Sequence, residues 1–318
     1  MLTYIVRRLI QSVIVVILVT ILVFVGMRLL PGDPIYMLLN PNQLQNMTAE
    51  ELDKLRQEAG LDRPMAVQYF EWIGNVLRGD LGRSIMTKSP VVDDLAKRIP
   101  VTAHLGIVAF IVGTMIGIPL GIISAIRRGT WLDTLVTTMA NIGITVPTFW
   151  LGIMLIWLFA IYLNWLPVMG YTSPFVDFWL STKRLIMPVF CLAIFPIAAN
   201  ARQARSSMLE ILRQDYIRTA WSKGLRERAV IGRHALKNSL IPIVTLAGMG
   251  ISGIVGGSVL IEQVFNIPGM GRLAIDSLFQ HDYTYVQGIT LIMTIVIVTS
   301  NLVVDLSYGW LDPRVRYN

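Results

Sequence analysis

DYIRTAWSKGLRERAVIGRHALKNSLIP, residues 215 to 242, is a polar insert between two long apolar segments. Over 206–240 the cations Arg213, Arg218, Lys223, Arg226, Arg228, Arg233 and Lys237 face only Glu210, Asp215 and Glu227. Such an excess retains a loop in the cytoplasm. Tyr216, Ile217, Ala220 and Trp221 recur at helical spacing, Gly224 supplies a stop or bend, and a second helical pattern resumes near Arg226. The stretch predicts helix, glycine, helix, within reach of a cytosolic partner. Charge and periodicity by themselves favour a plainer role, a topology signal whose helix lies on anionic headgroups.

The flanks set the class. The chain has 318 residues, 54% hydrophobic and 15% charged, with mean hydropathy +0.61, against roughly 25% charged in soluble domains. Its solvent is mostly lipid. The net charge of +7 could suit nucleic acid, but the basic residues gather beside apolar segments and build no aromatic-studded basic face, so nucleic acid is excluded as a partner. Cys191 stands alone in an apolar segment, which rules out an internal disulfide and a cysteine-based metal cluster and leaves it a packing role.

Leu9 to Leu30 gives about 22 residues of nearly unbroken apolar character, enough at ~1.5 Å per residue to cross a ~30 Å hydrocarbon layer. Arg7 and Arg8 hold its start inside; the run is too long for a signal peptide and no small-residue cleavage site follows. From Pro31 to Pro100 the chain turns polar, with ten acidic residues against eight basic ones. That balance suits the outside. Thr48 and Glu51 read as a capping box for a short helix with Leu52, Leu55 and Ala59 on one face and Gly60 at its end; a second, amphipathic helix follows Pro64. Further spans are expected over Val101–Ile126, Leu132–Leu163 with a kink at Pro147, Leu185–Ala204, Ile241–Leu260 and Tyr285–Tyr308. Arg127-Arg128, Arg202, Arg205, Arg314 and Arg316 mark inner ends, so both termini fall in the cytosol.

The insert resembles the coupling loop of permease subunits of ATP-driven importers, whose signature is Glu-Ala-Ala, three residues, Gly, then Leu or Ile before Pro. Ala220, Gly224 and Leu240-Ile241-Pro242 fit that pattern, while Arg218 and Thr219 occupy the Glu and Ala positions. The form Asp-Tyr-Ile-Arg-Thr-Ala, with Lys223-Gly224-Leu225 and His234-Ala235-Leu236-Lys237-Asn238, is similar to the variant in dipeptide, oligopeptide and nickel permeases. Other stretches resemble the same family: Arg28 to Pro34, Gly79 to Ser84, Asn266 to Arg272, His281-Asp282-Tyr283, and Leu311 to Arg314.

The resemblance implies an all-α membrane protein of the type I ABC importer permease fold. A first transmembrane helix (1–30), an external helical subdomain (31–100) and a five-helix core (101–318) with its coupling loop at 206–240 would make six transmembrane helices. It also implies a second homologous permease subunit in a heterodimer, two ATP-binding subunits that hold the ATP and Mg, and an extracytoplasmic solute-binding protein. Asp215, Tyr216, Arg218, Thr219, Ala220, Lys223, Gly224, Leu225 and His234 become the candidate coupling residues. Di- or oligopeptides are the implied cargo, with nickel complexes, glutathione or oligosaccharides as alternatives, in a bacterial or archaeal plasma membrane.

The fifth expected span carries two small-residue stripes, Gly250, Gly253 and Gly257 beside Gly248, Ser252 and Gly256. In lipid such faces are commonly helix contacts; in the resembled family the fifth helix also borders the translocation path. Glu262 lies just beyond this span and reads as interfacial. No GxxxxGK[ST] loop is present, so any ATP hydrolysis belongs to another polypeptide, and His104, His234 and His281 are too scattered to form a metal set. A secondary transporter or channel would couple through ionisable groups near the midplane, often within inverted repeats, and neither appears. An intramembrane enzyme would need converging catalytic groups, and none converge.

Overall fold

A computed structural model describes residues 2–29, 48, 51, 54, 57 and 62–311. Among them the chain is helical, without a strand; Arg83 and Pro90 form an isolated antiparallel bridge. The Arg28 to Pro34 exit, most of the short helix expected before Gly60, and the tail beyond Leu311 lie largely outside the described residues. Thr48 and Glu51 are described and do form the reciprocal cap: the Thr48 amide and hydroxyl donate to Glu51 at 2.8 and 3.0 Å, and the Glu51 amide donates back at 3.4 Å.

Ten helices carry the argument: α1 Leu2–Leu29, α2 Met65–Leu77, α3 Val91–Ile126, α4 Trp131–Thr145, α5 Thr148–Leu155, α6 Phe178–Leu212, α7 Asp215–Ser222, α8 Leu236–Val264, α9 Met270–Phe279 and α10 Tyr283–Leu311. Wider π-type turns extend α5 over Ile156–Tyr162 and precede α8 over Val230–Ala235. Four of these helices are long and apolar enough to cross a membrane, and α4 with α5 makes a fifth if the bent pair is one span. The predicted fifth span falls within α8.

The span expected over Leu132–Leu163 is broken rather than kinked. α4 and α5 meet at 103°. Val146, between them, is extended at φ −70°, ψ 125°, the conformation that a following proline imposes by clashing with a helical predecessor. Other spans outrun their expected limits. α3 begins at Val91, directly after Pro90, and carries Pro100 inside it, and α6 begins at Phe178, where Asp177 accepts from the Leu180 amide at 2.9 Å as its N-cap.

The tightest helix pair is α3 against α6. Gly113, Gly117 and Gly121 form a stripe at every fourth residue, and α6 sits on it so closely that no side chain would fit. A Cβ on Gly121 would stand 2.2 Å from the Ala201 carbonyl oxygen, and one on Gly117 would stand 2.6 Å from that of Ile197. Asn200 Nδ2 donates to the Gly113 carbonyl at 3.3 Å across the same seam. In a membrane, where lipid is as apolar as leucine, backbone proximity of this kind supplies the association energy.

Glu262 corrects the sequence reading. It is fully buried inside α8. Thr102 Oγ1 donates to its Oε1 at 2.7 Å and the Arg272 amide to its Oε2 at 2.9 Å, and the Met270 amide donates to Thr102 Oγ1 at 2.8 Å. The Asn266 to Arg272 turn folds over the carboxylate, because the first turn of α9 offers unsatisfied N–H groups that favour a negative charge. α3, α8 and α9 are joined at that point.

Candidate coupling site

α7 is amphipathic across its width. Its inner face presents Ile217 and Ala220, both buried in a cluster with Ala125 of α3, Met208 of α6, and Val230 and Ala235 ahead of α8. One short helix thus shares a buried cluster with the ends of two long ones and the entry to a third. Its opposite face is open: Tyr216, Arg218, Thr219 and Trp221 are exposed, as are Lys223 and Leu225 beyond its end. Asp215 and Arg218 make an exposed pair at 3.5 Å, a contact of small energetic weight.

The helix ends as its sequence dictates. Lys223 N–H reaches the Thr219 carbonyl at 3.1 Å and Gly224 N–H that of Trp221 at 2.9 Å, and Gly224 adopts φ +75°. That left-handed conformation is the one glycine enters without penalty at the residue after a helix. A Cβ there would meet nothing within 4 Å, so backbone conformation, not crowding, selects the residue. Asn238 Nδ2 then donates to the Tyr216 hydroxyl at 3.2 Å and to the His234 carbonyl at 3.0 Å. The start of α8 is thereby tied to α7. His234 itself lies half-buried in the π-type turns.

Near α7 the ends of α3, α4 and α6 are fixed by charge. Arg205 of α6 grips Asp133 of α4 in a fork, Nε to Oδ1 at 2.7 Å and Nη2 to Oδ2 at 3.0 Å. Ser124 Oγ at 2.6 Å, the Gly129 amide at 3.0 Å and Thr137 Oγ1 at 3.5 Å also donate to the carboxylate. Charge composition pointed to Arg205 only as a marker of sidedness; the pairing with Asp133, 72 positions away, had no local signal.

The small-residue stripes of α8 divide. Gly248 packs on Val304 of α10, with a Cβ position 2.4 Å from Val304 Cγ2, and Ser252 Oγ donates to Asn301 Oδ1 at 3.0 Å. Gly250, Gly253 and Gly256 meet nothing within 4 Å, and Gly257 only approaches Leu192. Gly250, Gly253 and Gly257 line a cavity of about 330 Å³ together with Phe110 of α3, Leu192, Pro196 and Asn200 of α6, and Val146 and Thr148 at the α4–α5 break. The coupling candidates and these glycines belong to separate regions joined through α8. Sequence reading missed the α3 stripe, although Gly113-x-x-x-Gly117-x-x-x-Gly121 stands in plain spacing.

Residues 117–317 match the family described as binding-protein-dependent transport system inner membrane component, and residues 1–106 match that family's N-terminal counterpart. The chain belongs to this family. A putative peptide transport system permease protein of Brucella abortus (strain 2308) is 42% identical over 315 residues, covering 99% of both chains. The oligopeptide transport system permease protein AppB of Bacillus subtilis (strain 168) is 38% identical over 320 residues and covers 100% of both. The structure is similar to the MetNI methionine ABC transporter in its inward-facing conformation, with TM-score 0.57 and 17% identity over 69% of this chain and 96% of that one. That likeness shows the type I permease fold. As a member of this family the chain is a multi-pass inner-membrane component rather than a catalytic subunit.

Proposed function

We propose that this permease is one of two homologous, non-identical subunits of an ATP-driven importer for di- or oligopeptides. Two ATP-binding subunits, which hold the ATP and Mg, seat on the open face of α7, and an extracytoplasmic binding protein delivers cargo at the opposite end. Both termini lie in the cytosol. The observation that carries this reading is the two-sidedness of α7: Ile217 and Ala220 are committed to the bundle while Tyr216, Arg218, Thr219 and Trp221 are left for a partner. A helix so placed transmits displacement, since any push on its outer face bears on the ends of α3 and α6 and on the entry to α8. Peptide cargo is supported by what the Brucella and Bacillus relatives are named for. Closure of the two ATPases would draw the coupling helices together and reorient the long helices by alternating access.

Proteoliposomes containing the assembled importer test the proposal. Uptake of a labelled di- or oligopeptide is expected to require nucleotide, both ATPase subunits and the binding protein. Ion-gradient-driven flux by this chain alone would overturn it in favour of a secondary transporter or channel.

A further inference from the structure

Helix α2 runs beside the half of α1 farther from its Arg8 end. Thr20 Oγ1 and the Tyr69 hydroxyl share a 2.9 Å hydrogen bond, and Phe24 meets Tyr69 edge-on at 5.5 Å and stacks on Trp72 at 5.9 Å. The Arg8–Asp305 ion pair, 3.2 Å, marks the opposite end of α1. At ~1.5 Å per residue, Thr20 and Phe24 stand ~18 and ~24 Å along the axis from Arg8. Both levels fall within a hydrocarbon layer ~30 Å thick. A helix fixed there is too deep to belong wholly to an aqueous subdomain.

The surface of α2 is sorted into three sectors at 100° per residue. Tyr69, Trp72 and Val76 make the half-buried face toward α1. On one flank lie Ala66, Val67, Phe70 and Leu77, with Phe70 71% and Leu77 82% exposed. On the other lie Glu71 and Asn75, with Glu71 paired to Arg63. Helix α1 likewise exposes apolar residues at this level, among them Leu18, Ile21, Leu22 and Val25. Arg63 and Arg78 bracket the helix.

We propose that α2 is a membrane-interface helix whose ligand is phospholipid of the leaflet opposite the coupling helix. Phe70 and Leu77 insert among acyl chains, Glu71 and Asn75 face headgroups and water, and Arg63 and Arg78 meet lipid phosphates. Amphipathic sectoring fits this occupant because one flank is apolar while its neighbour is ionic, as a boundary between oil and water demands. The consequence is mechanical: the chain between the first two long helices is held at fixed depth by lipid as well as by α1.

The test uses the full chain in vesicles of phosphatidylethanolamine and phosphatidylglycerol, with the buried Cys191 replaced by Ala and a bimane label on Phe70→Cys, Leu77→Cys or Asn75→Cys. Labels at 70 and 77 should emit blue-shifted and lose most of their emission to brominated lipid while resisting iodide. The label at 75 should respond in reverse. Iodide quenching at 70 and 77 equal to that at 75 would overturn the proposal, placing the flank in water. Resistance of 70 and 77 to both quenchers would also overturn it, showing that protein covers the flank. The readout involves no transport, so its failure is separate from failure of the importer reading.

Discussion

Ser84 Oγ donates to Asp282 Oδ2 at 2.5 Å across 198 positions of sequence. Two stretches that read as separate landmarks, Gly79 to Ser84 and His281-Asp282-Tyr283, are one structural unit. Asp282 is buried and also accepts from the Ile85 and Met86 amides at 3.2 and 3.3 Å. The carboxylate therefore orders the turn after Gly82 while it starts α10. Asp282→Ala should leave a hydroxyl and three amides, those of Ile85, Met86 and Tyr285, without their acceptor. Each hydrogen bond to a charged group is worth about 1.5–3 kcal/mol, so the thermal midpoint of the detergent-solubilised protein should fall clearly. Ser84→Ala, which removes one donor and keeps the acceptor's other bonds, should cost the smaller part of that. Equal midpoints for both variants and the parent chain would show that the link carries no stability.

The α3–α6 seam and the open glycines of α8 make opposite predictions for the same chemical change. Gly121→Ala places a methyl 2.2 Å from a backbone oxygen that cannot move aside like a side chain tip. Overpacking of that kind typically costs about 1–3 kcal/mol, and lower yield and earlier melting should follow. Gly256→Ala meets nothing within 4 Å and, since alanine favours a helix interior over glycine, should not lower the isolated subunit's melting. If Gly256→Ala nevertheless lowers uptake in the assembled importer, the open stripe faces a partner or the passage; unchanged uptake would remove it from both.

The sequence was legible where one physical signal ran along one segment. The helical spacing of Tyr216, Ile217, Ala220 and Trp221 marked α7, and Gly224 marked its end, because helical period and backbone conformation are local properties; that Ile217 and Ala220 are buried while Tyr216 and Trp221 stay exposed is seen only in the structure. Long apolar runs marked the spans for the same reason. What stayed hidden was pairing between distant segments: Glu262 looked interfacial because hydropathy cannot reveal that Thr102 and the Arg272 amide would close over it. Pro147 announced a distortion but not its size, since 103° depends on what α4 and α5 each pack against. Gly248, Gly250 and Gly256 looked alike in the stripes, yet one is jammed against Val304 and two are open.

Gly224 should separate backbone conformation from side-chain chemistry. At φ +75° an alanine is strained by roughly 1–2 kcal/mol, whereas asparagine enters the left-handed region several-fold more readily than most residues. Uptake should fall for Gly224→Ala and recover substantially for Gly224→Asn. Gly224→Pro, whose ring fixes φ near −65°, should abolish uptake and ATPase association while membrane insertion stays normal. Full activity in the proline variant would contradict the coupling assignment.

Ala220 and Arg218 lie on opposite faces of α7, so their variants should fail differently. Ala220→Glu forces a charge into the cluster around Met208 and Val230; the burial penalty for an unpaired charge should lift the helix from the bundle. Limited trypsin treatment should then cut at Lys223 and Arg226 faster in the isolated subunit. Arg218→Ala should leave that cleavage unchanged yet weaken copurification of the ATPase subunits. Enhanced cleavage in both, or in neither, would place the two residues on one face and overturn the two-sided account.

Glu262 provides the last test, because its carboxylate is a pure acceptor set among donors. Glu262→Gln keeps the volume, but its NH2 either opposes the Arg272 amide, donor to donor, or turns to the Thr102 hydroxyl, which must rotate its proton away to accept and so gives up its bond to residue 262 as donor. Glu262→Ala removes the acceptor and leaves a void over which Gly269, packed against the native carboxyl carbon, loses its support. A buried amide left without an acceptor costs about 1–3 kcal/mol. Hydrogen exchange over 266–272 should therefore quicken in both variants, more in alanine than in glutamine, while exchange in α7 stays at the parental rate. Uniform quickening along α8 and α7 would instead mean that Glu262 governs the whole core, and parental exchange over 266–272 would mean that the turn holds its shape without it.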